Sequence, residues 1–297
     1  MTLEQQIAQF IASGFVNGAI YALLGLGLVV IHSVTRVVNV AQGEFAALGA
    51  LLTATLVARG LPYPVAIAIA VASSAAVGAG MHRLAIRPAR AATALTLLIV
   101  TIAAHLTLRG LLLILWGTDP YSLPPFTAGP PLRVAGAVLN RQGLWVIGAV
   151  GVILIASYLL FTRTMHGRAL RACAVNPTAA RLHGINVEGM GLQAFTIAGA
   201  LGGIAGVLIT PLTLAAYDMG LILGLKGFVG AVVVGFASYP WTVAACLAFG
   251  VVESLGAGLV SGYRDAIAFG VLVAVLLARA VAAAREGSLV SEERALE

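Results

Sequence analysis

The chain has 297 residues, of which 60% are hydrophobic and only 9% charged, with a mean hydropathy of +1.02. Soluble domains carry about a quarter charged residues, so a water-soluble globule is excluded. The net charge of +6 is carried by arginines in short connections between apolar runs, which reads as membrane orientation and not as a nucleic-acid surface.

A membrane-spanning helix needs about twenty mostly apolar residues. Nine segments fit, at roughly 8–31, 37–58, 64–82, 94–116, 144–162, 191–214, 219–237, 241–260 and 266–284. All are read as helices, because an isolated strand cannot satisfy its backbone in lipid. The expected fold is an all-α polytopic membrane bundle of eight or nine transmembrane segments. One transmembrane domain covers 1–285, and 286–297 forms a cytoplasmic tail. The first ten residues hold Glu4 and no Lys or Arg, so they lack the basic start of a signal peptide. The first segment is therefore read as a retained span.

The second segment is broken by Asn39, Gln42 and Glu44 around Gly43, and the seventh by Lys226. These two either cross the membrane or dip and return. With the N-terminus outside and nine crossings, the inner connections hold Arg36, Arg83, Arg87, Arg90, Arg163, Arg168, Arg171, Arg181, Arg279, Arg285 and Arg294. The outer connections hold Arg59, Arg133, Arg141 and Arg264. Eleven against four is a positive-inside bias that puts the C-terminus in the cytoplasm. If the seventh segment re-enters, the last connections change sides and the bias falls to nine against six.

Two connections are long. The outer one, 117–143, carries Pro120, Pro124, Pro125, Pro130 and Pro131, which block regular helix and predict an ordered external cap. The inner one, 163–190, is basic. Asn176 followed by Pro177 reads as an N-cap with proline at the first helical position, and Gly184 as a stop. The short helix between them, Pro177 to His183, is either a docking element or a surface helix with no partner.

A weak internal repeat is compatible with the chain. A Gly-rich first span with Asn17 precedes the broken Glu44 segment, and a Gly-rich sixth span with Thr196 precedes the broken Lys226 segment. Paired interrupted segments in two halves of a transporter point to a midplane site.

No hydrolytic or redox constellation is visible. His32, His82, His105, His166 and His183 are dispersed without metal-ligand spacing, so no metal site is expected. Cys173 and Cys246 read as packing or loop residues. The run from Gly220 to Gly227 lacks the glycine before Lys226 and the Ser or Thr after it that a phosphate loop needs. The chain itself is therefore not expected to bind ATP.

The intramembrane polar set is Asn17, Asn39, Gln42, Glu44, His105, Arg109, Gln193, Lys226 and Glu253. An unpaired ion in lipid costs several kcal/mol, so these groups should face one another, a wet cavity or a boundary. Asn17, Asn39, Gln42, Glu44 and Lys226 are candidates to line a route for a polar zwitterion. Glu44 could instead cap the start of a half-helix. Arg109 and Glu253 are candidates for a structural ion pair.

Three stretches resemble the inner-membrane permease subunit of branched-chain amino acid ABC importers. They are Gly18 to Leu23 with Leu26-Gly27-Leu28, Asn39 to Phe45 with Leu48-Gly49-Ala50, and Gly167 to Ala172 continuing through Ala179-Ala180 to Gly184-Ile185. Leu223 to Phe228, then Gly250 and Glu253, fits the late part, so the likeness spans about 10–280. The resemblance implies a non-enzymatic permease that pairs with a second, related permease as a heterodimer. It implies two cytoplasmic ATPase subunits, which use the ATP, and an extracytoplasmic solute-binding protein. It makes Gly167, Arg168, Arg171, Ala172, Ala180 and Gly184 part of an ATPase coupling element. Some relatives carry histidine where this chain has Gln42, which speaks against a proton-sensitive role there. A related permease for urea or short amides, a secondary transporter working without ATPases and a membrane-embedded enzyme are the competing readings.

Overall fold

The structure, a computed structural model, describes residues 3–89, 92–134, 137–259, 270 and 273–277. Ten α-helices follow one another among the described residues: α1 (Leu3–Thr35), α2 (Gln42–Ala58), α3 (Tyr63–Met81), α4 (Ala94–Trp116), α5 (Arg141–Arg163), α6 (Met165–Val175), α7 (Pro177–Leu182), α8 (Val187–Ile209), α9 (Met219–Val233) and α10 (Tyr239–Leu259). The chain is an all-α membrane bundle. Six helices are long and apolar enough to span a bilayer: α1, α3 with the π-helical turn His82–Ile86, α4, α5, α8 and α10. The ninth expected segment, 266–284, lies outside the described residues apart from the helical positions 270 and 273–277, as does the tail 286–297.

The two broken segments form helices too short to cross alone. At about 1.5 Å per residue, the 17 residues of α2 and the 15 of α9 reach about 25 and 22 Å, against a hydrocarbon core of about 30 Å. Each has a non-helical lead-in, residues 36–41 before α2 and 213–218 before α9. Arg36 ends α1 in the left-handed region, at φ 58°. Asn39 then turns the chain by accepting the Ala41 N–H on its own Oδ1, which favours a turn over continued helix. Non-helical backbone at membrane depth must be satisfied by protein. Here Thr101 on α4 supplies it, donating to the Val38 carbonyl (3.0 Å) and accepting the Val40 N–H (3.4 Å).

Helices α1 and α8 form the centre and pack against each other. Around them, α1 packs on α9 and α10 while α8 packs on α2 and α3, and α2 meets α9 across the middle. Close approach at these crossings depends on missing side chains. A Cβ on Gly43 would strike the Gly220 carbonyl, one on Gly206 would strike the Ala46 carbonyl, and one on Gly250 would strike Gly14 and Gly18. Small residues let helices approach until backbone packs on backbone, which replaces the hydrophobic drive that lipid does not supply. By contrast α4 and α5 turn most of their apolar surface outward, with Ile114 80% and Val152 67% exposed.

The outer connection carries a two-stranded antiparallel hairpin, β1 (Leu132–Val134) and β2 (Ala137–Leu139), a detail that its prolines do not announce. Gln9 on α1 holds it, accepting the Val138 N–H (2.6 Å) and donating to the Val138 carbonyl (3.0 Å). Tyr121 and Ala215 bridge this cap to the lead-in of α9.

Candidate functional site

The broken second segment is placed at mid-depth of the bundle. Gln42, the first residue of α2, donates from Nε2 to the carbonyl of Ala198 (2.9 Å), the central residue of α8. Glu44 stands 3.0 Å from Nδ1 of His105, the central residue of α4. The two buried groups form a histidine–carboxylate contact, and the second Glu44 oxygen, Oε2, has no hydrogen-bond partner among the described residues. The Glu44 carboxyl lies against Gly220 in the first turn of α9, where a side chain would meet it. The start of α9 therefore faces a carboxylate, the favourable charge for a helix N-terminus. The expectation that Glu44 caps a half-helix thus has a geometric counterpart, but the helix is α9 and not its own.

Charge around Glu44 comes from Arg109 and Asp218. Arg109 lies half-buried on α4, with its guanidinium 5.6 Å from the centre of the Tyr217 ring. Two further polar atoms of the junction are buried without a hydrogen-bond partner among the described residues: Nδ2 of Asn39 and Oε1 of Gln42. Buried polar atoms are paired in the great majority of cases, so a cluster of exceptions calls for a functional explanation.

The five pathway candidates do not converge. Asn39, Gln42 and Glu44 share the junction. Asn17 lies elsewhere, in a cleft of about 160 Å³ beside the β2 strand, lined also by Gln9, Ser13 and Asn140. Lys226 is 6% exposed and donates to Oε1 of Glu253 at 2.8 Å. This corrects the expected Arg109–Glu253 pair. Helix α10, which carries Glu253, packs on α1 and α9, whereas α4, which carries Arg109, packs on α2 and the turn after α3. The Lys226 ammonium also sits 5.9 Å from the centre of the Tyr21 ring, so one cation ties α9 to α10 and α1.

The inner connection contains two helices where one was expected. Helix α7 matches the expected stretch, with Asn176 Oδ1 accepting the Thr178 and Ala179 N–H groups and Gly184 at φ 79° after its end. Helix α6 precedes it, capped by Thr164, which accepts the Gly167 N–H (3.0 Å). Gly167 lets α6 fold tightly onto the end of α5, since a Cβ there would strike the Leu160 carbonyl. Ala180 is buried and Ala172 half-buried, whereas Arg168 and Arg171 are exposed. So are Val175 and Leu182, each 84% exposed, beside Met165 at 72%. Their sequence signal is weak, because isolated apolar residues among arginines look like ordinary helix positions.

A family model described as the permease component of branched-chain amino acid transport systems matches residues 10–276. The branched-chain amino acid permease BraD of Pseudomonas aeruginosa is 28% identical over 286 residues, covering 91% of this chain and 93% of that protein. The LivH permease of Escherichia coli K12 is 26% identical, covering 89% of this chain and 91% of that protein. A probable LivH permease of Methanocaldococcus jannaschii is 31% identical over 72% of this chain and 73% of its own length. Among solved structures, PsaBC of Streptococcus pneumoniae in complex with Fab shares the fold, with a TM-score of 0.51 at 12% identity over 90% of each chain. The match over nearly the whole chain agrees with the broken-helix bundle, and the chain belongs to the branched-chain amino acid ABC transport permease family.

Proposed function

We propose that this permease forms one half of an ATP-driven importer for branched-chain or other hydrophobic amino acids. The observation that carries the reading is the mid-depth junction of α2 and α9, where Asn39 and Gln42 keep buried polar atoms without hydrogen-bond partners and Glu44 stands against His105 inside an otherwise apolar bundle. A zwitterion needs both a carboxylate and donor groups along its route, and this is where the chain offers them. Asn17, in the cleft beside β2, is assigned to the entrance of the same route. Lys226 is assigned a structural role with Glu253.

In this reading the second and seventh segments both cross, giving nine crossings with the N-terminus outside and the C-terminus in the cytoplasm of a bacterial inner membrane. The arginine bias supports that orientation. An inverted repeat relates α1, α2 and α3 to α8, α9 and α10. Its support is the paired pattern of packing, α1 on α9 and α10 against α8 on α2 and α3, together with the α2–α9 meeting.

A second permease completes the pore, an external solute-binding protein delivers the amino acid, and two ATPase subunits supply the drive. The α6–α7 element takes the coupling role. Val175 and Leu182 seat in an ATPase groove, Arg168 and Arg171 pair with its rim, and Gly167, Ala172, Ala180 and Gly184 shape the element. Nucleotide binding closes the ATPases and shifts the permease between outward- and inward-facing states by differential binding. The test is reconstitution of the complete complex in proteoliposomes. Leucine uptake that needs ATP and the ATPase subunits supports the reading. Uptake by the permease alone along an ion gradient, or uptake of urea in place of leucine, overturns it.

A further inference from the structure

On the inner half of the bundle, α3 and α4 leave an apolar groove of about 540 Å³, bounded by Val77, Gly80, Met81 and Leu84 on one side and Val100 and Leu108 on the other. Its floor is open, because a Cβ on Gly80 would meet nothing within 4 Å. Leu84, in the π-helical turn at the groove's end, is 83% exposed. The same turn carries charge on its adjoining face. Arg83 and Arg87 line a small polar cleft of about 190 Å³ with His82, Asn186 and Glu188. Arg87 Nε pairs with Glu188 at 3.3 Å, while Arg83 is exposed and has no ion-pair partner among the described residues. Among the described residues, two guanidinium groups and one carboxylate line this cleft, which makes the turn beside the apolar groove basic.

We propose that this groove and its basic rim hold one anionic phospholipid of the cytoplasmic leaflet. An acyl chain lies along Gly80 between α3 and α4, and the phosphodiester sits against Arg83 and Arg87. The negative charge of phosphatidylglycerol complements this basic cluster. Guanidinium forks suit phosphate oxygens, and each cation near an anionic membrane surface raises affinity about fivefold. The leaflet rests on the orientation proposed above; the groove and the charge do not.

The test uses the purified permease complex in nanodiscs of phosphatidylglycerol and phosphatidylcholine, exchanged into detergent and followed by native mass spectrometry. The wild type is expected to retain phosphatidylglycerol about fivefold or more over phosphatidylcholine. The double variant Arg83→Gln, Arg87→Gln is expected to lose that preference. Gly80→Leu, which grows into the floor from an open Cβ position, is expected to retain less of either lipid. Equal retention of both lipids by the wild type overturns the proposal and reduces the groove to ordinary annular contact. Release of a second permease chain by Gly80→Leu also overturns it, by assigning the groove to a protein partner. An impermeant thiol reagent applied to Leu182→Cys in intact cells reads the orientation separately, so failure of the leaflet assignment is told apart from failure of the site.

Discussion

The α2–α9 junction and the α6–α7 connection obey opposite rules. At the junction, backbone packs on backbone, side chains are nearly all buried, and polar atoms are left without partners. On the connection, polar caps are complete while large apolar side chains stand in the open. Unsatisfied polarity inside and unsatisfied hydrophobicity outside are both costs that a stable monomer avoids. In the proposed function each has an occupant, a transported zwitterion inside and a partner subunit outside.

The largest effect is expected from breaking the ion pair that braces the interior. Lys226→Met leaves Glu253 buried without its cation, which costs about 3–5 kcal/mol where one partner of a buried pair is removed. The thermal midpoint of the purified permease should fall sharply, and the double variant Lys226→Met, Glu253→Met should recover much of it. A single variant as stable as the wild type would mean that the pair braces nothing.

Next in size is the crossing itself. Gly43→Ala puts a methyl group into the Gly220 carbonyl and forces α2 and α9 apart, an overpacking worth about 1–3 kcal/mol. Gly80→Ala on α3, which meets open space, should leave the melting temperature close to that of the wild type. Equal losses from both would show that the close crossing is not what limits stability.

That crossing was only half legible in the sequence. Asn39, Gln42 and Glu44 interrupt an apolar run, and the interruption alone locates the break of the second segment. The partner of each polar group was not legible, because partner choice is tertiary. Arg109 and Glu253 look like a natural pair on paper, yet α4 lies on the periphery and α10 packs behind α9, so Lys226 takes the carboxylate. Lys226 reads as part of the route in the sequence because an intramembrane cation signals function by default, and its salt bridge with Glu253 is what the structure adds. Helix α6 escaped notice for a simpler reason. A short helix between two spans has neither the length nor the apolar run that marks a span, and Thr164 gives only a single-residue cap signal.

A smaller effect separates the two regions by function. Leu182→Ser removes an exposed apolar contact and should weaken ATPase association by about 1 kcal/mol or more, roughly fivefold, with no change in permease stability. Sedimentation or pull-down with the ATPase subunits reads this directly. Normal association would take α7 out of the coupling interface.

The most direct measurement is ATP-dependent uptake of labelled leucine by proteoliposomes carrying Glu44→Gln in the otherwise complete transport complex. The amide keeps the side chain's size and removes its acid group, so a buried polar contact worth about 1–3 kcal/mol is removed from the proposed route. Uptake should fall about tenfold or more, while ATPase association and thermal stability stay close to wild type. Wild-type uptake by this variant would contradict the assignment of the α2–α9 junction to the path of the amino acid.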